Sequence, residues 1–350
     1  MFHLSKHLTA AAIPLLLLAV PAARAQAPQE PVGERPAEER TQPDVAAVFE
    51  ERGLLTPPGS WVVEPALQYV HSSSTTVAID GFTILPAIAI GLIDISEVQR
   101  DTLTASLALR YGLTERLEVG VRLPYVWRDE SLRRREILEG SDTPQVADSS
   151  GEDLGDVELG LHLQFNRADT GKPFFIGNLR VKSITGTSPF EVDRVPATNP
   201  DGSDSGVDIL LEQPTGSGFW SVQPSLTMIY PTDPAVIYGN ISYLWNLERD
   251  QGGDYGRIDP GDALGLSLGT GISLNNRTSI SLGYDHSMVF ETDREGVTLD
   301  PVFERIQVGS FIWGLSQRLS PRTSLNLSVA VGATSAAPDA QVSLRLPMRF

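Results

Sequence analysis

The chain has 350 residues, 27 of them Lys or Arg against 44 Asp or Glu, with 31 Gly, 25 Pro and no Cys. A disulfide scaffold and a cysteine-ligated zinc site are excluded. The formal charge of -17 argues against nucleic acid as a partner, because neutralising phosphates requires a basic face.

At the start of the chain, Lys6 stands with His3 and His7, an apolar run covers 8–20, and Ala23-Arg24-Ala25 supplies a small-x-small cleavage site. This is the pattern of a secretory signal peptide over residues 1–25. Neither that run nor the next apolar stretch, 84–93, is long enough to cross a bilayer as a helix. Residues 26–59, including PQEPVGERPAEERTQPD, offer little to bury and read as a flexible periplasmic segment. Within it, Asp44 and Gly53 bracket either one short capped helix or a linker with transient helicity. Lying just before the first strand, 44–53 is a candidate plug whose Glu50 and Glu51 would meet a basic lumen.

From Ser60 to the end, apolar and polar residues alternate with period two, the mark of strands with two unlike faces. In the last segment Ala340, Val342, Leu344, Leu346, Met348 and Phe350 share one face, and Gln341, Ser343, Arg345, Pro347 and Arg349 the other. The same reading predicts strands over 61–71, 100–112, 117–128, 154–165, 173–185, 218–230, 235–248, 261–274, 278–290, 304–319, 323–334 and 340–350. Every second link is short: LTER, NRADTGK, PTDP, NNR and SPR. Most of the others are long and acidic. Short turns at one end and long loops at the other define an all-β fold, a twelve-stranded antiparallel transmembrane barrel over 60–350. Strands of a soluble sandwich average only about 5 or 6 residues, whereas a tilted crossing strand needs roughly 9 to 11. Trp61, Tyr69, Tyr125, Trp127, Phe165, Trp220, Tyr230, Tyr243, Trp245 and Phe290 fall near strand ends on the apolar parity, as two interfacial girdles require.

The inward parity collects Glu64, Arg110, Glu118, Arg122, Glu158, His162, Arg180, Lys182, Asp285, Arg345 and Arg349. On the lipid side a midplane Arg or Lys would cost about 2 to 4 kcal/mol, so these side chains belong to the lumen. The candidate pore-lining set is Arg110, Glu118, Arg122, Glu158, Arg180, Lys182, Arg345 and Arg349. One reading is an electropositive, anion-favouring pore; the other is that the charges pair across strands and fill the barrel, with Arg110, Glu118, Arg122 and Glu158 placed to do so.

An outer-face lipase is a third class, with His71 beside Ser72, Ser73 and Ser74. A nucleophile needs a base in reach and a third group that orients it, and the spacing distinguishes neither, so no catalytic residue is assigned. The acidic loops 139–153 and 191–212 hold oxygen ligands of the kind calcium takes but not a full calcium-loop spacing, so no metal or cofactor is assigned. The apolar piece FTILPAIAIGLIDIS at 82–96 reads as folding into the barrel mouth or extending the first hairpin.

LRYGLTERLEVGVRLPY at 109–125, GEDLGDVELGLHLQF at 151–165 and APDAQVSLRLPMRF at 337–350 resemble the outer-membrane family labelled phenol-degradation meta-pathway proteins. GLLTPPGSWVVEPALQYVHSSS at 53–74 looks most like its branch related to the pseudomonad functional-amyloid export channel. The resemblance implies a twelve-stranded barrel in the outer membrane of a Gram-negative bacterium. It also implies Phe350 as the terminal aromatic that the barrel-assembly machinery recognises. Some relatives carry a periplasmic coiled coil; residues 26–59 hold no heptads, and the oligomeric state stays open. The leading function on this resemblance is export of a peptide or protein, and the alternative is a passive pore for small, aromatic or anionic compounds. The partners implied are the lipid bilayer, the assembly machinery and the transported solute or peptide.

Overall fold

The computed structural model describes residues 55–74, 95–135, 145–166, 172–198, 204–232, 235–253, 255–294, 297–298 and 305–350. The expected signal peptide 1–25, the candidate plug 44–53, most of the apolar piece 82–96, the start of the acidic loop 139–153 and the middle of 191–212 lie outside them.

Fourteen hydrogen-bonded strands make twelve staves, because two staves are each interrupted once. In chain order the staves are Trp61–Ser74, Ile95–Thr114, Leu117–Arg135, then Gln145–Leu154 continued by Glu158–Gln164, Phe174–Lys182 and Ser221–Pro231. There follow Ala235–Asn246, Ala263–Asn275, Thr278–Val289, Ile306–Ser320, Thr323–Gly332, and Ala340–Arg345 continued by Met348–Arg349. Each pairs antiparallel with its neighbour in sequence, and the last closes on the first through Ala66 opposite Arg345 and Val62 opposite Arg349. The two interruptions have local causes. In the last stave Leu346-Pro347 stands opposite Pro65, which has no N–H to donate, and the register is the same on both sides of the gap. The fourth stave breaks at residues 155–157, where Asp156 turns inward.

All twelve expected strands are present. The second and third run farther than the alternation predicts, to Ile95 and Arg135, and the fourth starts at Gln145 rather than 154, paired with the third as far as Arg134, so these three extend at the long-loop, extracellular end. Extracellular loops add a two-stranded hairpin, Arg194–Thr198 with Asp204–Leu210. They also add a four-stranded sheet of Arg249–Asp250, Arg257–Asp259, Asp293–Arg294 and Val297–Thr298. Asp259 and Asp293 are direct cross-strand partners there, an unfavourable like-charge pair.

The outward parity carries exposed Leu67, Leu107, Leu123, Leu161, Leu179, Leu226, Ile241, Leu266, Leu282, Trp313, Val331 and Leu344, one from each stave. A continuous apolar girdle of this extent far exceeds the patches that soluble monomers expose; its solvent is lipid. Trp61, Phe165 and Phe350 lie on this face at the short-turn end, and Tyr69, Trp220, Tyr243 and Trp245 at the other. Tyr125, Trp127, Tyr230 and Phe290 are only half-buried. The protein is a transmembrane β-barrel.

Leu268 lies near the middle of its stave and is 54 % exposed. Leu268→Arg should lower folding stability by about 2 to 4 kcal/mol in urea titrations in lipid vesicles, whereas Ser267→Arg, on the opposite face, should cost under about 1 kcal/mol. In the extracellular sheet, burial first, then the carboxylates of Asp262, Glu248 and Asp293, hold the Asp259 carboxyl above its ordinary range. A carboxyl raised in the folded state stabilises the fold below its unfolded pKa and loses that contribution as pH rises through the folded one. Protection of the Ile258 amide against hydrogen exchange, corrected for intrinsic rate, should therefore be greater near about pH 4 than at neutral pH. Asp259→Asn should remove most of the difference.

Candidate functional site: the lumen

The inward face is divided. From the last stave through the first to the fifth it carries charge; on the sixth to the eleventh it carries mostly Ser, Thr, Asn and Gly. The register sets the charges side by side. Glu64 accepts from the Arg110 guanidinium at 2.9 Å and lies 3.5 Å from Arg345. Arg110 is also 3.9 Å from Glu118. One stave farther, Glu158 stands directly opposite Arg122 and takes Arg122 and Arg180 at 3.7 and 3.8 Å on the same carboxylate oxygen. The Arg180 guanidinium also donates to Gln223. His162 Nδ1 and Asn178 Oδ1 are 2.8 Å apart, and Asn178 donates on to Ser225 and Thr227 at 3.1 Å each. Asn240 donates to Thr227 at 2.8 Å, carrying the network onto the small-polar wall.

A second inward surface is apolar. Phe174, Ile176, Ile229, Val236 and Tyr238, from the fifth, sixth and seventh staves, form a buried cluster inside the barrel at the short-turn end. Tyr238 lies across two neighbouring staves because they present glycine there: a Cβ on Gly269 would fall 2.2 Å from the Tyr238 ring. Leu55 packs on this cluster, so the chain just before the first stave is inside the lumen. It is held there where Thr56 N–H donates to Glu118 at 2.6 Å, where Gly59 N–H donates to the Gly112 carbonyl at 2.9 Å, and where Pro57 passes over Gly112, at which any Cβ would meet the Pro57 carbonyl oxygen at 2.2 Å.

At the extracellular end the loop between the fifth and sixth staves folds inward. Residues 213–219, QPTGSGF, are all buried without helix or strand. Asp156 anchors them, accepting from the backbone N–H of Gly186 at 3.0 Å and of Ser217 at 2.9 Å, and from the Ser217 hydroxyl at 2.8 Å. Lys182 lies 3.5 Å from Asp156, and the Arg128 guanidinium donates to the Pro214 carbonyl at 2.8 Å. Phe190 packs edge-on against Phe219 and Tyr255 above this fold.

Beside Leu55 the lumen holds a cavity of about 400 Å³ whose wall includes Glu64, Arg110, Glu118, Arg122, Glu158, His162, Asn178, Arg180 and Arg345, with Leu55 and Ile176 on the apolar side. Six of the eight candidate pore-lining residues meet at this cavity. Two do not: Lys182 is buried against Asp156 and Ser217, and Arg349 is exposed at the short-turn mouth. The charges are also paired more completely than a purely electropositive lumen implies. Four Arg stand against three Glu at the cavity, an excess of one positive charge. Asp285, on the inward parity of the ninth stave, has one buried carboxylate oxygen with no hydrogen-bond partner among the described residues.

Sequence reasoning missed Asp156, Asn178, Gln223, the apolar cluster and Leu55. The cluster had a signal: Phe174-Phe175-Ile176, Met228-Ile229-Tyr230 and Ala235-Val236-Ile237-Tyr238 are apolar on both parities. The grouping around Ser73 is not that of a nucleophile. His71 Nδ1 is 2.7 Å from Asp101, which also accepts from the Tyr69 hydroxyl at 2.6 Å, but the Ser73 hydroxyl donates to Asp339 at 2.5 Å rather than to the imidazole. Among the described residues no group of three or more His, Cys, Asp or Glu is arranged to hold a metal ion.

Residues 211–350 match a family described as "Putative MetA-pathway of phenol degradation". The COG4313 outer-membrane channel of Pseudomonas putida F1 superposes with a TM-score of 0.56 at 16% identity, over 84% of this chain and 96% of that one. The chain has the fold of an outer-membrane channel. The translocator domain of the autotransporter NalP from Neisseria meningitidis gives a TM-score of 0.45 at 9% identity, over 89% and 94% of the two chains. The P. putida toluene transporter TodX gives 0.39 at 12%, over 88% and 92%.

Removing the shared carboxylate tests the electrostatics of the cavity. Glu158→Gln raises the excess from one positive charge to two. The chloride-to-potassium permeability ratio, read from the reversal potential across a planar bilayer near about 0.1 M salt, should rise severalfold over wild type. It should fall back near about 1 M, where the screening length is about 3 Å; an unchanged ratio would place Glu158 outside the ion path.

Proposed function

We propose that the protein is a passive outer-membrane channel for small solutes. The observation that carries this reading is the size of the lumen cavity, in a barrel into which two segments of the chain are folded. A cavity of about 400 Å³ lies at the lower end of the range of roughly 300 to 1,000 Å³ typical of small-molecule sites. Leu55 lines it at the short-turn end, and residues 213–219 are folded into the barrel at the extracellular end. Export of a peptide or protein, the leading expectation from the resemblance of 53–74, would require both segments to leave a lumen into which they are hydrogen-bonded. A small solute requires far less displacement, and a lumen with both charged and apolar surface suits polar and ring-bearing molecules alike.

In this reading the two in-folded segments set the conductance. Asp156 is the fastening of the outer one, and Leu55 and Thr56 continue the segment expected to act as a plug. Phe350 is the signal to the assembly machinery; its side chain is 66 % exposed on the lipid side, while its backbone exchanges both hydrogen bonds with Trp61 at the closing seam.

The test is single-channel recording of the purified full chain in planar bilayers. Wild type should give small, discrete openings. Asp156→Asn weakens the charge-assisted hydrogen bonds to Gly186 and Ser217, each worth about 1.5 to 3 kcal/mol, and should raise the mean conductance and the frequency of flicker. A barrel that stays electrically silent in wild type and in Asp156→Asn would contradict the channel reading.

A further inference from the structure

The cavity is more specific than a polar pore needs to be. Its charged wall consists of two Arg–Glu–Arg groups, Arg345–Glu64–Arg110 and Arg122–Glu158–Arg180. In the first, Arg110 donates a close hydrogen bond to Glu64, and Arg110 has Glu118 as a further partner. In the second, both guanidiniums approach a single oxygen of Glu158, at 3.7 and 3.8 Å, outside ordinary hydrogen-bond distance. Two planar donors converging on one loosely held oxygen form a site where a second carboxylate can be inserted with bidentate geometry. The single excess positive charge of the wall matches one negative charge on a ligand and leaves a dianion uncompensated.

The same cavity is bounded by Ile176, on the same stave as Arg180 and of the same parity, and by Leu55. Ile176 is continuous with the buried cluster that contains Phe174 and Tyr238. A molecule held by its charge at Arg122 and Arg180 thus has apolar surface within the same cavity for the rest of its body.

We infer that the lumen contains a binding site for a small amphipathic monoanion: a carboxylate on a single ring or short alkyl body. Arg122 and Arg180 take the carboxylate, and Ile176 and Leu55 take the apolar part. This rests on the channel reading for its biological meaning, because the site then lies on the route the solute follows. Binding itself is measured without transport.

The probes are benzoate, acetate, inorganic phosphate and benzyl alcohol. With the full chain in detergent, benzoate should bind in isothermal titration. Acetate lacks the apolar body, phosphate lacks it and carries excess charge, and benzyl alcohol lacks the charge; each should bind at least about tenfold more weakly. Arg122→Gln should weaken benzoate about tenfold or more, and Ile176→Ser should weaken benzoate while leaving acetate unchanged; heat-modifiable migration confirms that each variant is a folded barrel. In planar bilayers benzoate should reduce the chloride current of wild type over the same concentration range. Benzyl alcohol binding as well as benzoate, or wild-type benzoate affinity in both variants, would overturn the site. Benzoate binding in a barrel that never conducts would overturn the channel reading and keep the site, whereas conduction without benzoate binding or block would do the reverse.

Discussion

Closure of the sheet is the constraint on which everything else rests. In hydrocarbon no water is present to satisfy a backbone N–H or C=O, and each orphan costs several kcal/mol. The twelve staves must therefore meet end to end, as they do where Trp61 and Phe350 exchange hydrogen bonds at 2.8 and 3.1 Å. A closed ring with period-two side chains has only two destinations for each residue, lipid or lumen. A slip of one residue would exchange them along a whole stave, so the exterior leucines hold the register of the interior charges as firmly as the hydrogen bonds do.

The enclosed charges then face a second requirement. At about 4 Å, in an effective dielectric near 20, two unit charges interact by about 4 kcal/mol, so like charges cannot share a narrow lumen without partners. The chain meets this by setting opposite signs side by side on adjacent staves: Arg345, Glu64, Arg110 and Glu118, then Arg122, on the same stave as Glu118, with Glu158 and Arg180, and Lys182 and Asp156 as a separate buried pair. Most of the basic residues are thereby spent on neutralisation, and the small remainder carries any selectivity. The opposite wall needs no such balance. Its Ser, Thr and Asn side chains bond to one another, as the Ser316 hydroxyl does to Asn326 at 2.7 Å and that of Ser221 to Asn246 at 2.8 Å, although Asn326 Nδ2 and one Asp285 oxygen have no partner among the described residues.

The strands, their number and their parity were legible in the sequence because each is a local repeat written many times over. The same alternation puts Glu64, Arg110, Glu118, Arg122, Glu158, Arg180 and Arg345 on the inward parity, and these side chains line one cavity. What the alternation cannot carry is any residue whose partner is fixed by a loop returning over the sheet. Asp156 sits in GEDLGDVELG as one acid among several, and only the return of Gly186 and Ser217, thirty and more residues on, turns it into an anchor. QPTGSGF is built from the Gly, Ser and Pro residues of turns, and here that lack of bulk lets the backbone lie against the inner wall, with Gly218 and Phe219 left out of the strand expected over 218–230. Lys182 has the inward parity but is buried against Asp156 and Ser217, and Arg349 lies exposed at the short-turn mouth.

The inner surface also departs from the simplest barrel rule, that outside is apolar and inside polar. The cluster of Phe174, Ile176, Ile229, Val236 and Tyr238 makes the short-turn end of the lumen oily on one side and, through Glu118 and Arg110, charged on the other. For a passing molecule this difference acts across the barrel as well as along it. A solute with one charge and one apolar face is held in a single orientation, whereas a purely polar or purely apolar one gains from half the wall only. Conduction demands that such holding be weak enough to release. The long contacts of Arg122 and Arg180 to Glu158 fit that demand: a carboxylate already present competes with the one arriving, so the site keeps its charge complementarity and limits its own affinity.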